Sequence, residues 1–459
     1  MDRKPNIIVT GMLDTKFNEI RFLADQVAVY GGNPVVMDLS LGQSADWADI
    51  TREEVLKTAG VSEKEVSDAP RAKAIGIVGP AGAKKIMELY DEGKVDGVIS
   101  WAGSVGTTTV TYVMRALPFG VPKIMLTDMA SSDVSMWLGN KDIYIVNPTA
   151  EQDINIVTRK MVANAAAAVV SMAKVGDVKT EETKPLVAIT AYGTTTPAVN
   201  ACTKFMEDRG WDSIIIHQVG TGATMEDLIR SGDVTAIFDL TTGELTNNMY
   251  KSPYGVPDTW VGERVTAASD MGIPQIVCPG GLDQGACGPM SSIPQEYLDD
   301  FKTGKRKGFR DTKLPYIHNE GVTIMVPTLE EIEELSNYLA ERLNRTNGPT
   351  AFIIPMQGWS AYDQREEICT KERGWAEGNG DGPVWEPDEK DPRWSRRATL
   401  MRRVLEERFD KSNTNLDLII ADMHINDKEF SELCCKCMDD ILNQRWTPGL
   451  YRDIKGVVK

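Results

Sequence analysis

The chain contains three histidines, and each stands at the edge of a β-like run. His217 closes "SIIIH", His424 follows "LIIADM", and His318 comes just before "GVTI" in "YIHNEGVTI". Carboxylates occupy similar places: Asp239 and Glu244 in "FDLTTGEL", Asp283 in "PGGLDQG", and Asp422 beside His424. Imidazole changes charge near neutral pH and is a common metal ligand. Three imidazoles with a carboxylate suit a divalent cation with open positions, Mn or Zn, and Fe by the same donor logic. General acid–base or substrate-binding roles fit the same residues equally well. On the metal reading His217, His318 and His424 are the ligands, with Glu244 beside them and Asp283 as the base. The cation would polarise a carbonyl and activate water for hydrolysis or lyase cleavage of a C–C bond in a 1,3-dicarbonyl or oxo acid. The spacing is long-range, so no local motif decides between these readings.

Small-residue loops follow several of the runs. In the second half Gly193, Thr194 and Thr195 precede a helix with Pro197 in its first turn, and Gly220-Thr221-Gly222 follows His217. Backbone N–H groups there suit the carboxylate of a small-molecule substrate, or an enolate. In the first half the matching loops are Asp14-Thr15-Lys16 and Gly103-Ser104-Val105-Gly106-Thr107. A loop of this kind, backed by a helix N-terminus, suits phosphate or carboxylate. Neither loop has the Gly-Lys-Ser/Thr ending of a P-loop or the G-x-G-x-x-G fingerprint.

These residues need a frame that brings distant strand ends together. Strand-like and helical runs alternate from Asn6 to Lys174, and the rhythm restarts at Leu186 after the polar stretch "VGDVKTEETKP". Alternation predicts an α/β fold: two Rossmann-like domains, each a mostly parallel sheet with helices on both faces. The expected domains are 1–180, binding a nucleotide or other anion, and 181–459, carrying the active site. Within the second, 365–397 is rich in Gly, Trp and charge, and is expected to form a lid. Ala72–Glu92 is read as a helix despite its glycines, Thr259–Met271 as another, and Thr328 with Glu331 as a capping box. The basic run Lys302–Lys313 is read as a solvated loop or an anion-attracting rim. Cys434 and Cys437 fall on the apolar stripe of a last helix and are read as core.

The whole chain sets limits on its partners. Its 459 residues exceed one ordinary core, and the net charge of -17 repels phosphate backbones and anionic membranes. The expected partners are therefore a small-molecule substrate and further copies of the chain in a homo-oligomer, with no nucleic acid and no membrane. No secretory signal pattern opens the sequence, and seven cysteines in this length do not make a disulfide scaffold. A cytoplasmic location follows as the expectation.

Several stretches together carry a family resemblance: "GMLDTKFNEIRFL", "DGVISWAGSVGTTTVTYVMRALPFGVPKIMLTDMASSDV", "YGTTTPAV", "GTGATMEDLI", "DLTTGEL", "PQIVCPGGLD", "IPMQGWSAYD" and "DMHIND". The chain resembles the Tm-1-like ATP-binding family, UPF0261, over essentially its whole length. The resemblance implies two α/β domains and ATP or another nucleotide in the first, with its phosphates at Asp14-Thr15-Lys16 and Gly103 to Thr107. A plant member binds viral replication proteins, which implies the alternative of a regulatory or protein-interaction module without catalysis. There a similar region is fused to a TIM barrel resembling phosphoenolpyruvate mutase and hydrolase enzymes, which implies chemistry on small oxo acids. This chain departs from the family pattern at His318-Asn319-Glu320 and in the length of 365–397.

Overall fold

The structure is a computed structural model that describes residues 3–149, 154–176, 184–256, 264–309, 312–365, 373 and 384–458. It divides into two compact units, Met1–Glu181 and Glu182–Lys459.

In the first unit five strands, β1 (Asn6–Gly11), β2 (Asn33–Asp38), β3 (Gly97–Ala102), β4 (Lys123–Thr127) and β5 (Tyr144–Val146), form a parallel sheet in the order β2-β1-β3-β4-β5. Both faces are covered. Ile7 and Val9 of β1 pack with Ile20 and Val169 from helices Phe17–Val29 and Ile156–Ala173. Ile8 points the other way, into a core with Val78 and Val110 from helices Arg71–Asp91 and Ser104–Ala116. Near-continuous apolar strands are what two covered faces require. The glycines of Arg71–Asp91 serve that packing. A Cβ at Gly79 would lie 2.5 Å from the Tyr112 ring, and one at Gly82 2.8 Å from Val113. The two helices can touch only because those positions carry no side chain.

Among the described residues one helix, Ile156–Ala173, has the length and apolarity of a membrane span. Val162, Ala165, Ala166, Val169 and Val170 bury its inner face in the core beside β1 and β3.

In the second unit β6 (Leu186–Ala191), β7 (Asp212–His217), β8 (Val234–Thr241) and β9 (Gln275–Gly280) belong to a six-stranded parallel sheet. A separate antiparallel sheet is inserted next, from β10 (Gly285–Cys287), β11 (Tyr316–Asn319) and β12 (Val322–Met325), in the order β10-β12-β11. Strands β13 (Thr350–Pro355) and β14 (Leu416–Ala421) complete the parallel sheet as β14-β13-β9-β8-β6-β7. In each parallel sheet the chain reverses its direction of winding at one place, between β1 and β3 and between β6 and β8. Ligands of open α/β sheets gather at such points, beyond the carboxyl ends of the strands.

Three local expectations change. Of the basic run, 302–305 and 312–313 are exposed as a solvated loop would be, but 306–309 turn inward. Arg306 is buried, with Nη1 donating to Tyr250 Oη at 2.7 Å and Nη2 to Glu331 Oε1 at 2.7 Å, a paired charge inside the unit. Of the lid, 366–372 and 374–383 lie outside the described residues. In its 384–397 part Val384 joins Phe309, Ile324 and Tyr362 in a small core and Arg397 is fully buried, while 387, 389–390, 392–393 and 396 are exposed. The helix expected at Thr259–Met271 spans Ala267–Met271, and 257–263 lie outside the described residues.

Candidate functional site

A pocket of about 320 Å³ lies beyond the carboxyl ends of β6 and β7. One wall is the loop after β6, with Tyr192, Gly193 and Thr194, and His217 at the last position of β7. The antiparallel sheet supplies the opposite wall through Ala286, His318, Asn319 and Ile324, while Tyr254, Gln284 and Tyr362 close the sides. Two imidazoles that stand 101 positions apart in sequence therefore face one space (318 minus 217). His217 packs edge-on to Tyr192, with ring centroids 5.9 Å apart, and its partial burial lowers its pKa below the usual 6.5. That keeps it neutral at pH 7 and able to accept a proton. His318 lies within β11, with its ring edge-on to Tyr316.

The loop after β6 is built firmly. Thr195 Oγ1 shares a 2.8 Å hydrogen bond with Thr241 Oγ1, and Gln284 Nε2 donates to Thr194 Oγ1. Tyr192 keeps its ring at the pocket while its hydroxyl accepts from Asn247 Nδ2 at 3.1 Å. Helix Thr196–Glu207 starts directly after this loop. The first N–H groups of a helix lack intrahelical partners and can meet a negative charge.

The third histidine does not join the pocket. His424 is fully buried, Nε2 lies 3.0 Å from Ser360 O, and Nδ1 accepts from the Asn426 N–H at 3.1 Å. Both ring nitrogens are committed to backbone, so no lone pair is left for a metal. Burial drives its pKa down to about 4, which keeps it a neutral structural bridge.

Glu244 stands elsewhere too. Its Oε1 accepts from the Gly222 N–H at 3.2 Å and its Oε2 lies 3.5 Å from Arg264 Nε. Arg264 is the centre of a buried cluster. It makes two hydrogen bonds to Asp239, two to Gln218, and one to Glu226. Glu226 in turn accepts from the N–H groups of Val265 and Ala267, both at 2.6 Å. Burial raises the pKa of Glu226 and Glu244, and the Arg264 charge opposes the rise. Val265 lies at φ 63°, a strained position for a β-branched residue, held by these contacts. Gly222 is required here: a Cβ would fall 1.9 Å from Glu244 Oε2. A Cβ at Gly220 would lie 3.2 Å from Gly255 O. Both glycines are needed for packing, and neither lines the pocket described here.

The residues expected to hold a divalent cation thus separate into a pocket pair, a backbone bridge and an ion cluster. Among the described residues no group of three or more His, Cys, Asp or Glu side chains is placed to bind a metal. The histidine set does not fit one, and no step is derived through it.

Asp283 lies one residue before the pocket-lining Gln284 and is itself buried at 3% exposure. Its Oδ2 accepts from Ser360 Oγ at 2.5 Å. Burial, with the nearby Asp363 charge, pushes its pKa up to about 7. Asp363 faces Arg397, which also donates to Glu386 Oε2 at 2.6 Å. Sequence reasoning missed Arg264, Asp363 and Arg397. These charged residues sit in polar or mixed sequence, and only the close partners of each mark it as buried.

In the first unit Asp14-Thr15-Lys16 and Gly103–Thr107 follow β1 and β3, the two neighbouring strands at its reversal point. Asp14 Oδ2 accepts from the Gly42 N–H at 2.8 Å, and Lys16 is buried. Thr107 Oγ1 is within hydrogen-bond distance of both Gly103 O, at 2.9 Å, and Thr127 Oγ1, at 2.7 Å. Ser104 is exposed. A Cβ at Gly106 would lie 2.6 Å from the Ala102 Cβ, so this glycine lets the helix approach β3.

Fold and site together describe a two-unit α/β protein with a ligand-sized pocket beyond the carboxyl ends of β6 and β7 in its second unit. The chain belongs to the UPF0261 family. The N-terminal domain of that uncharacterised family matches residues 5–177, and its C-terminal domain matches 184–376. A UPF0261 protein of Clostridium tetani is 34% identical over 79% of this chain and 86% of its own length. One from Rhizobium meliloti is 29% identical over 95% of this chain and 99% of its own. The ToMV susceptible protein tm-1 of Solanum lycopersicum is 28% identical over 78% of this chain, which spans 48% of the tomato protein.

Proposed function

We propose that the second unit is an enzyme performing acid–base chemistry on a small carbonyl compound, of the 1,3-dicarbonyl or oxo-acid class, with C–C cleavage as the outcome. The observation that carries this reading is the meeting of His217 and His318 in one pocket beside Gly193 and Thr194. His217, neutral at pH 7, takes a proton from the carbon beside the carbonyl, which gives an enolate and proton exchange, or from a water adding to that carbonyl, whose adduct collapses with C–C cleavage to a carboxylic acid and an enolate. His318 lines the same pocket and passes that proton on to the enolate carbon. Backbone N–H groups of Gly193 and Thr194, which line the pocket ahead of helix Thr196–Glu207, stabilise the enolate oxygen. Donors fixed before reaction need no reorganisation when charge develops, which is why such a wall favours the transition state.

The test is proton exchange. The purified chain is incubated in D2O with a panel of 2-oxo acids, 3-oxo acids and 1,3-diketones, and deuterium uptake at the acidic carbon is followed by NMR. At least one compound is expected to exchange or cleave, with His217→Asn and His318→Asn each lowering the rate by at least about 100-fold. No exchange with any member, or variants as fast as the parent, would defeat the reading.

A second reading concerns the first unit. The neighbouring loops at Asp14–Lys16 and Gly103–Thr107 support binding of ATP or another polyanion there. Calorimetric titration with ATP, ADP and pyrophosphate tests it, and the absence of heat with all three overturns it.

A further inference from the structure

Beneath the pocket, the turn 360–364 holds a set of oxygen atoms that the proposed chemistry does not use. Among the described residues, Asp283 Oδ1, Gln364 Oε1 and Asn426 Oδ1 each lack a hydrogen-bond partner. Their residues are 3%, 0% and 5% exposed. The amide orientations follow from their other ends. Gln364 Nε2 donates to Ala361 O at 2.7 Å. Asn426 Nδ2 donates to Thr194 O at 2.9 Å and to Arg373 O at 2.7 Å. Carbonyl oxygens can only accept, so each amide must present its own oxygen away from these contacts. The three side chains are tied to one place. Thr194 O accepts from both Asn426 Nδ2 and the Ala361 N–H, at 3.0 Å, and Ser360 Oγ bonds to Asp283.

The local charge is unbalanced in the same direction. Two fully buried carboxylates, Asp283 and Asp363, face one buried guanidinium, Arg397, which also serves Glu386. A buried carboxylate oxygen without a donor is costly, and so is a buried amide oxygen. These three unpartnered atoms are hard acceptors, which a cation would satisfy together. Amide and carboxylate oxygens are the donor set of hard cations. With Asp283 ionised, one carboxylate beside neutral amide oxygens suits a single positive charge.

We propose that Asp283, Gln364 and Asn426 bind a monovalent metal cation, K+ or Na+, beneath the pocket. The ion neutralises Asp283 and fixes the turn 360–364, and through it Thr194 and Tyr362 of the pocket wall. It is separate from the histidine set, and it stands whether or not the pocket performs the proposed chemistry.

Thermal unfolding of the full chain in KCl, NaCl and tetramethylammonium chloride at equal ionic strength tests this. Tetramethylammonium carries the charge and is too large for such a site. A cation that binds only the folded state stabilises it by mass action. K+ or Na+ is expected to raise the midpoint by at least about 2 °C over tetramethylammonium. Asp283→Asn, which keeps an oxygen and removes the charge, is expected to abolish the difference. Gln364→Met, which removes one acceptor at similar volume, is expected to reduce it, and decides the matter if the first variant does not fold. Equal midpoints in the three salts overturn the proposal, as does a cation effect that both variants retain. A shift produced by Mg2+ or Ca2+ but by neither K+ nor Na+ also overturns it.

Discussion

Arg264 and Asp239 are joined by two parallel hydrogen bonds, Nη1 to Oδ2 at 2.7 Å and Nη2 to Oδ1 at 2.8 Å, with both residues out of solvent. Asp239 lies near the carboxyl end of β8, and Arg264 also holds Gln218, the residue after His217. The pair therefore ties together the ends of β7 and β8, the strands on either side of β6. Arg264→Leu leaves Asp239, Glu226 and Glu244 buried without a cation. It should cost about 3–5 kcal/mol in urea unfolding. Arg264→Lys should recover only part of this, because an ammonium cannot make the paired geometry. A Leu variant as stable as the parent would show that the cluster is neutralised by other means.

The glycines of the first unit divide by what surrounds them. Gly76 lies inside helix Arg71–Asp91, and a Cβ there would meet nothing within 4 Å, so Gly76→Ala should stabilise by about 1 kcal/mol through helix propensity. Gly106→Val should destabilise by about 1–3 kcal/mol, because its side chain meets Ala102 and Met12. Denaturant midpoints of the two variants, moving in opposite directions, check both. Loss of nucleotide binding in Gly106→Val would consequently reflect packing, and a binding test should use exposed Ser104 instead.

Asp440 gives a pH dependence with a definite sign. Burial alone would raise its pKa, but Lys436, the Tyr451 hydroxyl and Arg445 together lower it from 3.8 to about 2. A carboxyl whose folded pKa lies below its unfolded value stabilises fully above the unfolded pKa. That contribution is lost as pH falls through the folded value. Asp440→Asn should therefore lower stability at neutral pH and flatten the acid limb between about pH 4 and 2. Urea unfolding measured across that window is the check, and parallel curves for the two proteins would refute the assignment.

His217 sets the acid limb of the proposed reaction. Burial lowers its pKa below 6.5, and only the neutral ring accepts a proton. The exchange rate should rise with pH through a value below 6.5 and be level by pH 7 on that limb. His217→Asn should remove the limb along with the rate. A limb that persists in the variant would assign it to another group.

Parts of this architecture are legible in the residues themselves. Apolar runs such as Ile7–Ile8–Val9 mark strands covered on both faces, and the structure packs alternate residues into two different cores. The Thr328–Glu331 capping box forms as its spacing predicts, at the start of helix Leu329–Leu343. The loops after β1, β3 and β6 fall at the reversal points because parallel strands bring their carboxyl ends to one edge. Local propensity and side-chain period decide all of these within a few residues.

The placement of single side chains is another matter. His217, His318 and His424 look alike in sequence, each at the edge of an apolar run. Two reach the pocket because the inserted sheet β10-β12-β11 brings β11 opposite β7, while His424 commits both ring nitrogens to backbone. Arg306 sits in a charged stretch that reads as surface and Arg264 in a mixed one, and both are buried against partners 25 residues away at Glu331 and Asp239. The sequence by itself determined the α/β alternation, the two units and the strand-end loops, because these depend on contacts between near neighbours. Only the tertiary structure decided which titratable groups meet, because desolvation and charge pairing depend on distances between residues the chain order keeps far apart.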